Sequence, residues 1–498
     1  MEKKLLSAGK GAVLLTLLAL ISDLLGFVYR VALSRLAGAQ VMGLYQLVMP
    51  MYSVLLSMTA IGLTAGVNNL TARNLALHRE AEAARTLRTA LWGFLLLMLP
   101  AGAALIFCSD FVSTALLGDA RTQLALILLV PCTALTGVEN LHKHFFYGAG
   151  RVAAPAVVGL AEQLIRTAAV VLLLLIFLPQ WPERALGLVL WGMILCEVFS
   201  ACTLTVLWRR DYSFPADPGD RAGRRRKLWA IALPVGVNAL LGNLLSAANA
   251  ALIPRQLAAG GLSREAAMEQ FGVLCGMTLP MLSLPTVFLG ALTLILGPRL
   301  ARAWELGQRE RVRSLTGRSM YITSVLALPS LSLMAVVGPE LGLLLFGRPV
   351  DRCLLPMAAV TALGCWTSVL ACGLNGMVRH RRVAAVSLLG GAVQLGLTCI
   401  LVPLPGVGLE GCAAASLIAG LLEFVLLLGS ALRLGSVEAS WYRWFLVPGL
   451  SSALAALWAR LLFRVLQDSG LAPLPLCLWT VLPGVFLYLL SLRVLGGR

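Results

Sequence analysis

The chain has 498 residues, of which 59% are hydrophobic and only 13% are charged, and its mean hydropathy is +0.87. A soluble domain of this size could not carry so much apolar surface, so the composition excludes soluble protein classes. The formal charge is +17, from 40 Lys and Arg against 23 Asp and Glu. The composition therefore predicts an all-α protein that crosses a membrane many times.

Fourteen apolar runs are each long enough to cross the hydrocarbon core as a helix, which takes about 20 residues. In chain order they lie near residues 11–34, 43–72, 90–109, 122–142, 153–178, 186–208, 229–253, 270–296, 319–337, 353–376, 384–402, 411–432, 444–466 and 476–492. The first run is too long for the apolar part of a signal peptide, and the second follows at once. We therefore interpret it as the first of fourteen transmembrane helices.

Lysine and arginine are distributed unevenly between the two sides of this predicted topology. With the N-terminus inside, 29 of the 40 lie in cytoplasmic segments, Lys143 among them, and only seven lie in outer connections. This follows the positive-inside rule, so both termini are predicted to be cytoplasmic. The basic run at 221–227 is interpreted as contacting anionic membrane lipids, and nucleic-acid binding is not expected.

A repeat links the two halves of the chain. Residues 151–167 recur at 382–398, with nine identities in seventeen positions at an offset of 231. Such a repeat predicts two related structural units, which are parallel if each copy holds six helices. The predicted division is an N-lobe at 1–208, a basic cytoplasmic linker at 209–228, a C-lobe at 229–433, and two further helices at 434–498.

The two copies differ in charge. Glu162 and Arg166 of the first copy are replaced by Val393 and Leu397 in the second. Glu162 and Arg166 are spaced i,i+4, so they share one helix face and can form an ion pair. Charged residues in a membrane helix cost at least about 2.5 kcal/mol each, which marks them as candidates for a transport pathway.

Asp23 and Arg30 are spaced i,i+7 and also share a helix face. Each of these acid and base pairs could simply neutralise itself where helices pack. The alternative is that both faces line a wet cavity, in which arginine can bind a phosphate through paired donors.

Other polar residues give weaker signals. Asn68 and Asn69 end the second predicted helix, where they could contact a substrate or hydrogen-bond to a neighbouring helix.

The eleven cysteines lack CxxC spacing, and His142 and His144 have no further ligands nearby, so no metal site is predicted. No cofactor is predicted either, although acids within the helices leave coupling to a proton or monovalent-cation gradient open.

Several motifs in the chain resemble a known family. These are G-F-V-Y-R (26–30), G-L-Y-Q-L-V-M-P-M-Y (43–52), E-Q-L-I-R (162–166), L-I-P-R-Q-L (252–257) and G-M-T-L-P-M-L-S-L-P-T-V-F (276–288). They resemble the stage V sporulation protein B and polysaccharide-export branch of the multidrug/oligosaccharidyl-lipid/polysaccharide (MOP) flippase superfamily, over about residues 5 to 435. The resemblance implies two six-helix lobes around a V-shaped central cavity.

The resemblance also implies a function. A protein of this branch moves an undecaprenyl-pyrophosphate-linked saccharide from the inner to the outer leaflet of the plasma membrane by alternating access, in sporulation, cell-wall or capsule synthesis. Cell-wall synthesis proteins are expected partners. The related lipid II flippases carry S-R-x-x-G-x-x-R-D in the first helix, whereas residues 22–30 here keep only the serine and glycine in place. The saccharide therefore remains open.

The residues predicted to bind the substrate are Arg30 and Arg166 as phosphate partners, with Asp23 and Glu162 holding them, together with Asn68, Asn69 and Arg255. Arg255 matches the branch pattern in the loop after the seventh helix. A cation-coupled multidrug antiporter of the same fold is the first alternative. A membrane glycan polymerase or acyltransferase is the second, but the four histidines all lie on the predicted cytoplasmic side, and no catalytic residue is predicted.

Overall fold

A computed structural model describes residues 2–213, 220–350, 353–437, 440–468 and 472–496, and these residues form helices joined by short connections, with no strand among them. The α-helices are α1 Glu2–Leu56, α2 Gly62–Ala76, α3 Glu80–Phe107, α4 Ser109–Phe111, α5 Gln123–Gly148, α6 Ala153–Phe177, α7 Ala185–Asp211, α8 Arg221–Ala259, α9 Arg264–Gly272, α10 Leu279–Ser283, α11 Phe288–Glu305, α12 Arg309–Phe346, α13 Leu354–Gly376, α14 His380–Leu401, α15 Leu409–Arg433, α16 Val447–Gln467 and α17 Pro473–Gly496. The predicted all-α, multi-span architecture is confirmed.

Helix α1 is interrupted at Gly38, whose φ of 80° is open to glycine but strained for other residues. A π-helical turn, Ser57–Ile61, joins α1 to α2, so the helical run continues to Ala76. The part of this run that could cross a membrane has 57 residues, or about 85 Å at 1.5 Å per residue, against about 30 Å of hydrocarbon. The run therefore contains both of the first two predicted spans.

Within the described ranges, 12 helices are long and apolar enough to cross a membrane, or 13 if one bent pair of helices counts as a single span. The bent pair comprises 264–286 and 288–305, which meet at 50°. The long first run counts once here although it holds two predicted spans. The prediction of about fourteen is therefore close to what the structure contains.

The chain forms two compact units, Met1–Ala251 and Leu252–Arg498. In the first unit, α7 packs on α5 and α6, and α5 packs on α2 and α3. In the second unit, α15 packs on α13 and α14, and α13 packs on α11 and α12. The same helix pairing thus occurs twice, as the sequence repeat predicts. Helices α16 and α17 pack on each other and on α12.

Small residues bring the helices of the first unit close together. A Cβ on Gly137 of α5 would lie 2.1 Å from the ring of Phe94 in α3, and one on Gly192 of α7 would lie 2.4 Å from the Val170 side chain in α6. Because only glycine fits at such crossings, α5 lies close to α3 and α7 lies close to α6. The packing of α7 on both α5 and α6 brings polar residues of these three helices into contact.

Candidate functional site

Five charged side chains from three membrane-spanning helices meet inside the first unit. We call them the charged cluster: Glu139 and Lys143 of α5, Glu162 and Arg166 of α6, and Glu197 of α7. All five lie within helices that are apolar and long enough to cross a membrane. Charged groups at such positions are costly unless they are paired, and every member of this cluster has a partner of opposite charge.

Lys143 lies between two carboxylates. Its ammonium group forms an ion pair with Glu139, one helical turn earlier, and lies 3.1 Å from Oε2 of Glu162. Ser200 of α7 donates a hydrogen bond to Glu139 and lies 3.4 Å from Oε2 of Glu162. These contacts tie α5, α6 and α7 together at one level.

Arg166 also lies between two carboxylates. Its Nη2 forms an ion pair with Oε1 of Glu162 and lies 3.3 Å from Oε1 of Glu197. Its Nε donates to Sγ of Cys196 at 3.4 Å. The i,i+4 contact predicted for Glu162 and Arg166 is thus present, and Glu197 adds a second carboxylate from the neighbouring helix.

The cluster has one negative charge in excess when all its groups are ionised, since three carboxylates face two cations. The side chains of Glu139 and Glu197 are only 2% exposed, whereas those of Lys143 and Arg166 are 17% and 21% exposed. Oε2 of Glu197 is buried and makes no hydrogen bond within the part of the chain that the structure describes. A buried carboxylate oxygen without a donor is unfavourable, so the cluster favours the uptake of one further positive charge.

Three side chains in this region are of types that can bind a metal ion. One ligand atom each from Glu162, Cys196 and Glu197 lies within 4.8 Å of the others. Arg166 contacts all three residues, so its guanidinium group takes the place that a metal cation would occupy. The arrangement is therefore better described as an arginine held by three acceptors.

The other predicted pair, Asp23 and Arg30, lies on α1 with both side chains exposed. Seven residues advance a helix by about 10.5 Å, which is two turns, and within the described residues the two do not form an ion pair. The shared helix face is as predicted, but Asp23 does not hold Arg30 by direct contact.

The remaining predicted site residues are Asn68 and Asn69 of α2 and Arg255 of α8. On α2, the backbone oxygen of Asn68 lies 2.5 Å from where a Cβ on Gly148 of α5 would stand, so Asn68 marks a close helix crossing. Its neighbour Asn69 is exposed, as is Arg255 on α8. Arg255 belongs to the second unit, whereas the other predicted residues belong to the first.

Glu139 and Lys143 were not among the predicted site residues. The sequence places the end of the corresponding span at residue 142 and Lys143 in the segment after it, whereas α5 continues to Gly148 and includes Lys143. The signal was present: Glu139 and Lys143 have the same i,i+4 spacing as Glu162 and Arg166. His142 and His144, on the same helix, both hydrogen-bond through Nδ1 to backbone oxygens one turn earlier, at 2.8 Å.

The chain is similar in sequence to two sporulation proteins. The chain is 23% identical over 429 residues to stage V sporulation protein B of Bacillus subtilis (strain 168), covering 84% of this chain and 82% of the relative. It is 24% identical over 349 residues to sporulation protein YkvU of the same organism, covering 68% of this chain and 76% of the relative.

Solved structures share the fold at lower identity. The lipid II flippase MurJ in an inward closed conformation matches with a TM-score of 0.69 at 12% identity, covering 97% of this chain and 98% of that one. An inward-facing multidrug resistance MATE family transporter of the MOP superfamily matches with a TM-score of 0.66 at 13% identity, covering 84% of this chain and 96% of that one. Both likenesses concern the fold.

The family profile described as polysaccharide biosynthesis protein matches residues 8–260, just over half of the chain. This match covers most of α1 and all of α2 to α8, including the whole charged cluster. The chain is a multi-pass membrane protein that belongs to the polysaccharide biosynthesis protein family.

Proposed function

We propose that this protein moves an undecaprenyl-pyrophosphate-linked saccharide, such as lipid II or another cell-wall or polysaccharide precursor, from the inner to the outer leaflet by alternating access. The observation that carries the proposal is the charged cluster on α5, α6 and α7. The family description and the lipid II flippase fold support the same substrate class.

The physical requirement of this reaction fits a protein with polar groups inside an apolar shell. The prenyl tail of the substrate stays in the bilayer, while its pyrophosphate and sugars must cross the hydrocarbon region through a polar environment. Arginine suits a pyrophosphate because its planar fork presents paired donors. Arg30, exposed on α1, and Arg166, in the charged cluster, are the proposed phosphate partners.

Coupling to a proton or a monovalent cation is part of the proposal. The cluster has three carboxylates for two cations, and Oε2 of Glu197 has no hydrogen-bond donor among the described residues. A proton on one carboxylate would balance the charge and supply the missing donor. No other cofactor is proposed.

The proposed location is the plasma membrane, with both termini in the cytoplasm. The uneven distribution of lysine and arginine supports this orientation. Arg221, Arg225 and Arg226, at the start of α8, are exposed, which fits contact with anionic lipid headgroups. Proteins of cell-wall synthesis are the proposed partners, and the names of the two relatives favour a role in sporulation.

The test is leaflet translocation in proteoliposomes that contain the purified protein and lipid II, scored by a membrane-impermeant reagent. We expect protein-dependent exposure of the headgroup on the far side. A folded, inserted protein that exposes no lipid II and no other undecaprenyl-linked saccharide would refute the proposed substrate class.

A cation-coupled multidrug antiporter is the second candidate, and the excess carboxylate in the cluster is the observation that favours it. Such a transporter needs acids to bind cationic drugs but has no need for Arg166. Cells that express the protein should then export cationic dyes, and substitution of Arg166 should not reduce the export. Dye export combined with absent lipid translocation would select this alternative.

A further inference from the structure

The carboxylate of Glu162 has an unusual position in the charged cluster, because its two oxygens face two different cations. Oε1 pairs with Arg166 on its own helix, and Oε2 lies 3.1 Å from Nζ of Lys143 on α5. A phosphate group that bound between a lysine and an arginine would present two of its oxygens in the same way. Glu162 therefore has the place and charge sign of an anionic ligand.

Each of the two cations also contacts a second carboxylate besides that of Glu162. Lys143 is paired with Glu139, and Arg166 lies 3.3 Å from Glu197. The side chains of Glu139 and Glu197 are 2% exposed, whereas those of Lys143 and Arg166 are 17% and 21% exposed, about ten times more. If Glu162 moved away, each cation would keep one buried carboxylate behind it and would present free N–H donors on its more exposed side.

The position next to Lys143 is also open. Residue 159 of α6 is a glycine, and a Cβ built there would have Nζ of Lys143 as its nearest neighbour, at 4.0 Å. Residue 159 therefore places no side chain against the ammonium group, and Glu162 is the α6 side chain that contacts it.

We propose that Lys143 and Arg166 form a two-cation anion site, and that Glu162 occupies it as an internal ligand until the pyrophosphate of the substrate displaces it. This inference rests on the proposed function for the identity of the substrate, and it adds Lys143 as a binding residue. Glu162 becomes a competitor of the substrate, while Glu139 and Glu197 act as positioning residues.

Charge balance explains why a competitor would be useful. With Glu162 ionised and in place, the cluster has one excess negative charge and repels an anion. Without that carboxylate, two cations face two carboxylates, and an anion can bind through charge-assisted hydrogen bonds. Before the substrate binds, Glu162 thus keeps small anions out of the site, and the two cations become available when Glu162 leaves.

The proposal predicts an effect in an unusual direction: removal of a charged site residue should strengthen binding. The probe is inorganic pyrophosphate, titrated calorimetrically into the detergent-solubilised protein. Glu162→Gln keeps the size of the side chain and should bind pyrophosphate about tenfold or more tighter than the parent, since one charge-assisted hydrogen bond contributes about 1.5 kcal/mol or more. Glu423→Gln, which removes a carboxylate from α15 of the second unit, is the matched control and should bind as the parent does.

A second pair of variants tests the role of Lys143. Adding Lys143→Met to Glu162→Gln should abolish the gain, whereas adding Lys143→Arg should keep it. Glu162→Gln binding that equals or falls below the parent, or a gain that survives Lys143→Met, would overturn the inference. If the parent translocates lipid II but Glu162→Gln shows no gain, the proposed function stands without this site. If the gain is present but lipid II is not moved, the anion site stands and another anion is its ligand.

Discussion

Helices α6 and α14 carry the two copies of the repeat, but only α6 has charged residues in its middle. Glu162 and Arg166 of α6 correspond to Val393 and Leu397 of α14. Each helix nevertheless packs in the same way, α6 on α7 and α14 on α15. The pairing of these helices therefore does not need the charges, and a group that is costly in a membrane and unnecessary for packing is best explained by function.

Gly159 of α6 and Gly390 of α14 occupy the same position of the repeat, and their neighbours show the same contrast. Gly159 of α6 lies next to the ammonium group of Lys143, whereas a Cβ on Gly390 of α14 would lie 2.1 Å from Oε1 of Glu423. The first unit thus surrounds its acids with cations, and the second unit has an acid packed against a helix backbone. Four sets of substitutions test this contrast, and they follow in order of the expected size of effect.

The largest effect should come from Arg166→Leu, which copies the second repeat at one position. It leaves Glu162 and Glu197 without their arginine and gives the cluster two excess negative charges. We expect the free energy of unfolding to fall by about 3 to 5 kcal/mol, measured by denaturant unfolding in detergent. Adding Glu162→Val should recover part of this loss, because it restores the original net charge. A double variant less stable than Arg166→Leu would contradict the charge balance described above.

Glu197→Gln should remove the dependence of transport on a proton gradient. Oε2 of this residue is buried and has no hydrogen-bond donor among the described residues, and unit charges about 4 Å apart interact by about 4 kcal/mol at an effective dielectric constant near 20. We expect stimulation of lipid translocation by an imposed proton gradient to fall by roughly tenfold or more. Glu423→Gln is the comparison and should leave the stimulation intact. Equal effects of the two substitutions would show that the first unit is not the site of coupling.

The repeated glycines should respond differently to a methyl group. Gly390→Ala places a Cβ 2.4 Å from Cγ of Glu423, so the glutamate must move, at a cost of about 1 to 3 kcal/mol of stability. Gly159→Ala meets only the end of a lysine side chain at 4.0 Å and should be neutral or stabilising by up to about 1 kcal/mol. Thermal unfolding measures both. Rescue of Gly390→Ala by Glu423→Ala would show that the clash is the cause.

Arg30→Ala should have the smallest effect on stability, within about 0.5 kcal/mol, because the side chain is exposed. Residues 22–26, S-D-L-L-G, also resemble residues 238–242, N-A-L-L-G, at an offset of 216, and this offset pairs Arg30 with Ser246. If Arg30 binds the phosphate, translocation falls although stability does not, and Ser246→Ala leaves both unchanged. Parental translocation by Arg30→Ala would remove this residue from the proposed site.

The sequence predicts the architecture well because helix spans and repeats are local or periodic signals. The number of spans follows from the lengths of apolar runs, and the repeat follows from self-similarity of the chain. The contact of Glu162 with Arg166 follows from their spacing along one helix. The rest of the cluster depends on which helices pack together. No periodicity shows that Lys143 of α5 reaches Glu162 of α6, or that Glu197 of α7 reaches Arg166.

The ends of helices are the second feature that the sequence predicts poorly. A span that ended at residue 142 placed Lys143 among the loop cations, whereas α5 continues through Gly148 and carries Lys143 into the cluster. A shared helix face was likewise insufficient for Asp23 and Arg30, because two turns of helix separate them. Pairing within one helix needs a spacing of three or four residues.

The most direct test of the account is lipid II translocation by a variant in which Glu162→Val and Arg166→Leu give the first repeat the residues of the second. Parent and variant are compared in proteoliposomes at equal amounts of folded, inserted protein. The account predicts that the initial rate falls by at least about tenfold, the loss expected from one charge-assisted hydrogen bond. Translocation at the parental rate would contradict this expectation, because Glu162 and Arg166 would then have no part in transport.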